Sequence, residues 1–277
     1  MRSEPRGDTQ QPSQPRADAT TDPNKMHPHQ AVPPGAAPLG PNHREIPAHL
    51  LNEHYDDRYF DIVSALDESQ HIFFDNSRLA ERLSNWPSDL PFSIGETGFG
   101  AGRNVIALLE YLARLPRVPG TIRYHSVELH PLTPERLAAI LEGFRTRASA
   151  DIDALIRAYE AVDSSISGWH VLTLPHDKGI LDLRLFLGEA LEMLHALETP
   201  CDAWFLDGHG PKKNPAMWRP ELLSAIGAKT VPGGTCATFT VAGAVRRGLE
   251  AAGFTVSKVP GIGGKNHVLQ AVREKET

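Results

Sequence analysis

The sequence predicts an α/β fold: a seven-stranded, mainly parallel sheet, covered by helices and ending in an antiparallel hairpin. Three observations carry that expectation. From residue 91 onward, strand-like apolar runs alternate with helical stretches, as in a sheet built from strand-helix-strand units. A glycine-rich turn joins the first of these strands to the first helix. The last two strands are separated by Pro260-Gly261-Ile262-Gly263-Gly264, too short for a helical crossover, so they should pair antiparallel.

The elements follow in order. Residues 1–44 are rich in proline and carry no Phe, Trp or Tyr before residue 43, so they cannot bury enough surface to offset their ordering entropy and are expected to form a disordered tail. His27 and His29 in that tail lack a third ligand and are not read as a metal site. Residues 45–90 read as an N-terminal extension or cap, with Tyr59-Phe60 and His71-Ile72-Phe73-Phe74 as short strands ahead of a helix over 77–84. In the main domain, 91–277, strands are expected at 92–96, 122–128, 183–187, 203–206, 235–239, 254–259 and 268–272. Helices fit at 104–115, 134–145, 152–162, 190–197, 221–228 and 244–252.

Composition narrows the function classes. Of 277 residues, 40% are hydrophobic and 22% charged, with mean hydropathy −0.30, so the part beyond the tail can bury a core as one large α/β domain. No stretch approaches the ~20 apolar residues of a membrane span, and the N-terminus lacks the apolar segment of a signal peptide, so a cytoplasmic protein is expected. Two cysteines, Cys201 and Cys236, cannot supply a disulfide framework or a cysteine-rich zinc site; both read as buried thiols. A net charge of −6 argues against non-specific coating of nucleic acid but leaves room for a local basic face.

Glu96-Thr97-Gly98-Phe99-Gly100-Ala101-Gly102 follows the first strand and precedes a helix. Its glycines permit a tight turn and close approach of a nucleotide-like ligand. The GxGxG spacing, with an acid two residues before the first glycine, suits S-adenosyl-L-methionine: a carboxylate for the ammonium of its methionine part, and helix-start N–H groups for its carboxylate. Glu96, Gly98, Gly100, Gly102 and Asn104 are therefore cofactor-binding candidates. Glu128, ending the second strand, is placed to bridge ribose hydroxyls, and Glu189, after the next strand, to lie beside the adenine; the bland alternative for each acid is an exposed charge at a strand end. A dinucleotide-binding sheet has no need of the terminal hairpin, whereas a class I methyltransferase sheet ends in one.

A second constellation runs Asp202-Ala203-Trp204-Phe205-Leu206-Asp207-Gly208-His209-Gly210-Pro211-Lys212-Lys213-Asn214-Pro215-Ala216-Met217-Trp218, a buried strand followed by a two-proline loop. Asp207 falls at the carboxyl end of the fourth strand, where ligands collect in open α/β sheets; the alternative is an Asp capping its own loop. These blocks, with Arg103-Asn104 after the glycine loop, Thr238-Phe239-Thr240, Val245-Arg246-Arg247-Gly248-Leu249 and Ala251-Ala252-Gly253-Phe254, resemble the bacterial tRNA methyltransferase family that includes the N-terminal domain of MnmC and the stand-alone MnmD. The resemblance covers about residues 50–272 and is expected to be to the stand-alone form. It departs from the family pattern at His209-Gly210 and Ala216, and at Gly261–His267, where an Arg-Glu pair is missing.

The resemblance implies conversion of 5-aminomethyl-(2-thio)uridine at the tRNA wobble position to its methylaminomethyl form, with S-adenosyl-L-methionine as cofactor, no metal, and Asp207 as principal catalytic residue. The alternatives are a small-molecule or peptide N-methyltransferase and a non-catalytic cofactor- or RNA-binding protein. Methyl transfer to an amine needs alignment and an unprotonated nitrogen, and Asp207 can orient the amine or accept its proton. His209 is a candidate neighbour. Lys212, Lys213, Arg219, Arg246, Arg247 and Lys265 are candidate phosphate contacts, each also readable as a solvated cation, and Trp218 and Phe99 are candidate stacking faces, with core packing the alternative.

Overall fold

The computed structural model describes residues 65–263 and 265–274, together with the backbone of a two-stranded antiparallel pair, β1 (Leu51–Asn52) and β2 (Asp57–Arg58). The expected tail over 1–44 and the strand at Tyr59-Phe60 lie outside the described residues. Helix α1 (Ala65–Ser69) runs directly into a π-helical turn, Gln70–Asp75, and then α2 (Leu79–Ser84). The strand expected at His71–Phe74 is therefore a wide helical turn. A run of consecutive apolar residues reads as either element, and tertiary packing decided here. Ile72, Phe73 and Phe74 are all buried, with both phenyl rings 5.4 Å from Phe205, and Asn76 Nδ2 donates to the carbonyls of His71 and Ile72 at 2.9 and 3.2 Å. This segment shares the core of the main domain.

The main sheet has eight strands, not seven. They are β3 (Phe92–Thr97), β4 (Thr121–Glu128), β5 (Gly168–His176), β6 (Gly179–Leu187), β7 (Cys201–Leu206), β8 (Thr230–Thr238), β9 (Phe254–Pro260) and β10 (His267–Arg273), in the order β5-β6-β4-β3-β7-β8-β10-β9. The central five strands, β6 to β8 in that order, are parallel; β10 inserts antiparallel between β8 and β9, as the short connection predicted. The unforeseen strand is β5, which pairs antiparallel with β6 across a tight turn. Its Pro175 speaks against a central strand but is tolerated at a sheet edge, where one side of the backbone faces no ladder.

Six further helices complete the domain: α3 (Arg103–Arg114), α4 (Pro134–Leu141), α5 (Arg145–Tyr159), α6 (Ala190–Ala196), α7 (Pro220–Ala228) and α8 (Gly243–Ala251). The helices expected at 134–145 and 152–162 are redistributed. A 3-10 turn, Glu142–Phe144, follows α4, and α5 starts early with a break at Ala148, whose φ and ψ are −139° and 40°. Strands β3 and β7 are buried along their whole length, because helices cover both faces. Alternation sorts their side chains: Ala203 and Phe205 join the core beneath α1 to α5, while Trp204 and Leu206 join that beneath α6 to α8. Cys201 and Cys236 are buried, and burial pushes both thiols up. Among the described residues no helix is long and apolar enough to cross a membrane.

Candidate active site

Register brings the site together. Glu96 and Thr97 of β3 lie level with Phe205 and Leu206 of β7, and Glu128 with Leu187 of β6, so the loops after these strands open on one sheet edge. Gly98, Gly100 and Gly102 all have positive φ, at 100°, 57° and 73°. At Gly98 the need for glycine is twofold: the left-handed backbone, and a Cβ that would stand 3.2 Å from the Cα of Gly208. The glycine loop and the Asp207 loop thus meet backbone to backbone. Thr97 Oγ1 closes the junction by donating to the Asp207 carbonyl at 3.0 Å.

Four acids were expected here, and the structure separates them. Glu96 lies beneath the loop, 1% exposed, accepting from Asn104 Nδ2 at 2.7 Å and Ser126 Oγ at 2.5 Å. Burial, with the charge of Asp207 adding to it, raises its carboxyl to about 8 despite these hydrogen bonds. It is therefore neutral at pH 7. Glu96 was expected to meet the cofactor's ammonium; in this structure it is a buried acid that holds Asn104. Glu128 is half-buried and ties the glycine loop to β4, its two oxygens accepting from the N–H groups of Gly100 at 2.8 Å and His130 at 2.9 Å; burial raises it too, against those hydrogen bonds. Glu189 is exposed at the start of α6, just past the end of β6.

Asp207 accepts from both loops at the junction. Its Oδ2 accepts from Arg103 Nη2 at 2.5 Å and from Asn104 Nδ2 at 2.8 Å, and its Oδ1 from the N–H of Gly208 at 2.8 Å. Asn104, expected as a cofactor contact, bridges Glu96 and Asp207 through its amide nitrogen in this structure. The ion pair with Arg103 has no local sequence signal, because the partners lie 104 positions apart.

On the acceptor side, Lys212 and Lys213 are exposed in the loop after Asp207. With Lys258, Lys265 and Phe239 they line an open cavity of about 730 Å³, together with the 210–211 and 240–242 segments and Asn266-His267. Lys265 also pairs with Glu68 at 2.7 Å, fastening the hairpin connection to α1. Arg246 and Arg247 are exposed on α8, Arg246 paired with Glu250 at 2.9 Å. Trp218, expected as a candidate stacking face, takes the core-packing alternative: it is 7% exposed, donates to the His209 carbonyl at 2.9 Å and meets Phe239 edge-on at 5.8 Å, which pins the loop carrying His209. Phe99 likewise is buried and stacks on Tyr159 at 5.9 Å. Lys258 and His267 escaped the sequence reading because only the fold brings the hairpin to the Asp207 loop. Among the described residues no group of three or more His, Cys, Asp or Glu side chains is arranged to hold a metal ion.

Comparison with known proteins agrees with this geometry. Residues 155–274 match a family model described as S-adenosyl-L-methionine-dependent methyltransferase. The tRNA 5-methylaminomethyl-2-thiouridine biosynthesis bifunctional protein MnmC of Caulobacter vibrioides is 41% identical over 79% of this chain and 36% of its own length. That of Chromobacterium violaceum is 40% identical over 77% and 32%. The chain thus spans about a third of the length of these relatives. Among solved structures, MNMC2 from Aquifex aeolicus superposes with a TM-score of 0.58 at 21% identity, covering 82% of this chain and 66% of the other, which supports the class I methyltransferase fold. The chain belongs to the S-adenosyl-L-methionine-dependent methyltransferase family represented by the methyltransferase part of MnmC.

Proposed function

We propose that the chain methylates the primary amine of 5-aminomethyl-(2-thio)uridine at the tRNA wobble position, as a cytoplasmic enzyme. The observation that carries this reading is the junction of the glycine loop with the Asp207 loop, in a chain about 40% identical to MnmC proteins over more than three quarters of its length. The residues fit the cofactor. Left-handed glycines leave the loop backbone bare, and the Glu128 carboxyl, with about four acceptor sites and three backbone N–H groups on it, retains a lone pair for a ribose hydroxyl. Glu189 stands at the neighbouring strand end, on the adenine side. S-adenosyl-L-methionine held there would supply an electrophilic methyl group to the acceptor amine.

The chain's own contribution is alignment and proton removal. Asp207 Oδ1 accepts one backbone hydrogen bond and keeps a lone pair for an N–H of the acceptor, so the carboxylate can orient the amine and take its proton, directly or through water. Trp218 fixes the loop that carries His209 by donating to the His209 carbonyl. The lysines around the cavity, Lys212, Lys213, Lys258 and Lys265, present positive charge immediately beyond Asp207, as a phosphodiester backbone requires; Arg246 and Arg247 extend the basic surface on α8.

Incubation with tRNA bearing 5-aminomethyl-2-thiouridine and methyl-labelled cofactor, followed by mass spectrometry of the nucleosides, tests the reading. Label on that nucleoside is expected. Label on free amines or peptides with none on tRNA would replace the acceptor, and cofactor binding without any transfer would make the chain a binding protein.

A further inference from the structure

Arg103 has no part in the chemistry described so far, yet it makes the shortest contact to the residue at its centre. It opens α3 directly after the glycine loop, and its pair with Asp207 at 2.5 Å is mostly buried, each side chain 16% exposed. Asn104, next in sequence, donates to the same Asp207 oxygen and to Glu96. Two acids, one amide and one guanidinium therefore form a connected cluster under the loop junction. The Asp207 carboxyl accepts from three N–H donors, one of them the charged guanidinium, a charge-assisted arrangement.

Charged and titratable groups face Asp207 from three elements: Arg103 from α3, Glu96 from β3 and Tyr124 from β4. Glu96 is neutral at pH 7, and burial with the nearby Glu96 carboxyl pushes the Tyr124 phenol well above its usual range, so that it is neutral too. Arg103, which does not lose its proton in proteins, is the cation that sits on the remaining anion. With Arg103 and Asn104 on Oδ2, the oxygen left to meet an acceptor is Oδ1. An ammonium brought there would meet a carboxylate whose charge is already offset by the guanidinium on its other oxygen, so it is stabilised less than beside an unpaired carboxylate and loses its removable proton more readily.

We propose that Arg103 is a positioning residue: it holds Asp207 as the anion of the cluster and, by offsetting that charge, makes the site admit the amine in its unprotonated form. The proposal rests on amine methylation being the reaction.

The test uses the full chain as wild type, Arg103→Gln and Arg103→Lys, with methyl transfer to tRNA followed from pH 6.5 to 9. At pH 7 Arg103→Gln should lose at least ~10-fold in kcat, within the range for acid–base positioning, with KM for tRNA and cofactor affinity changed less than about 3-fold. The deficit should shrink towards pH 9, where the amine is neutral without help, and Arg103→Lys should recover most of the activity at pH 7. A parallel pH profile for Arg103→Gln, or a loss confined to KM or cofactor affinity, overturns the proposal. A second readout is independent of turnover: Arg103→Gln should lower the melting temperature of the wild type but hardly that of Asp207→Asn, and equal shifts in both backgrounds would also overturn it. If the cycle shows coupling while the wild type leaves the tRNA unmethylated, the pair stands, but the reaction assigned to it and this role of Arg103 fall.

Discussion

Glu96 on β3 and His125 on β4 occupy neighbouring strands, and burial keeps each of them neutral, but the two regions are built differently. Glu96 sits among partners, with both oxygens hydrogen-bonded and a path through Asn104 to Asp207. His125 is 3% exposed, and neither ring nitrogen has a hydrogen-bond partner among the described residues; its ring meets Trp169 edge-on at 5.6 Å. Burial, reinforced by Arg184 and Arg123, lowers it to about 4. A displaced pKa alone therefore does not mark the site. The connected partners do, because they convert burial into a fixed position for a charge.

The sharpest way to break this contrast is Gly100→Val. A branched side chain at φ 57°, on the loop that Glu128 holds, should abolish cofactor binding while leaving both cores intact, as checked by calorimetry with S-adenosyl-L-methionine and by circular dichroism. Unchanged affinity would show that the loop is only a turn.

Asp207→Asn follows, with turnover expected to fall at least ~100-fold while cofactor affinity stays within a few-fold. Raising the pH should partly rescue it. The variant also sets an amide NH2 among the N–H donors of Gly208, Arg103 and Asn104, so a lower melting temperature is expected alongside the kinetic loss. Wild-type turnover at pH 7 would make Asp207 a structural residue.

Stability against pH probes both regions at once. His125 has a reference value of 6.5, and its folded form titrates near 4. Its contribution is present above pH 6.5 and is lost as pH falls towards 4, a difference on the order of 3 kcal/mol. Glu96 has the opposite sign. With its value raised from 4.5 to about 8, its contribution is full below pH 4.5 and is lost as pH rises through 8. The two oppose each other between about 4.5 and 6.5, and above 6.5 the Glu96 decline should stand alone. Melting temperatures of the wild type and His125→Leu from pH 4 to 8.5 test this: the variant should lose the acid-side fall, keep the alkaline-side decline and keep full activity.

The smallest effect is expected from the surface. Lys212→Ala with Lys213→Ala should weaken tRNA binding several-fold and lower the slope of log affinity against log salt by about 1 to 2, without changing cofactor affinity. An unchanged salt slope would place the RNA elsewhere.

Much of this was legible in the sequence. The start of β3, the end of β7, the course of α3, α6, α7 and α8, the antiparallel insertion of the last strand, and the placing of Glu96, Glu128 and Asp207 at or next to strand ends all follow from local periodicity, glycine spacing and connection length, which depend on neighbours a few residues apart. The family was legible for the same reason, since its motifs are contiguous blocks. What periodicity could not supply was the edge strand β5, whose Pro175 is acceptable only once its edge position is known, and the π-helical turn at Gln70–Asp75, where three consecutive buried apolar residues fit strand and helix alike. Nor could it tell Glu96 beneath the loop from Glu128 beside it, set Arg103 against Asp207, or bring Lys258 and Lys265 to the mouth of the cavity. The sequence by itself determined the fold class, the family and which residue types stand at the strand ends. Which of those side chains are charged, and what each one holds, was decided only by the tertiary structure, because protonation and hydrogen bonding depend on burial and on partners up to 104 positions away, which strand register brings within 3 Å.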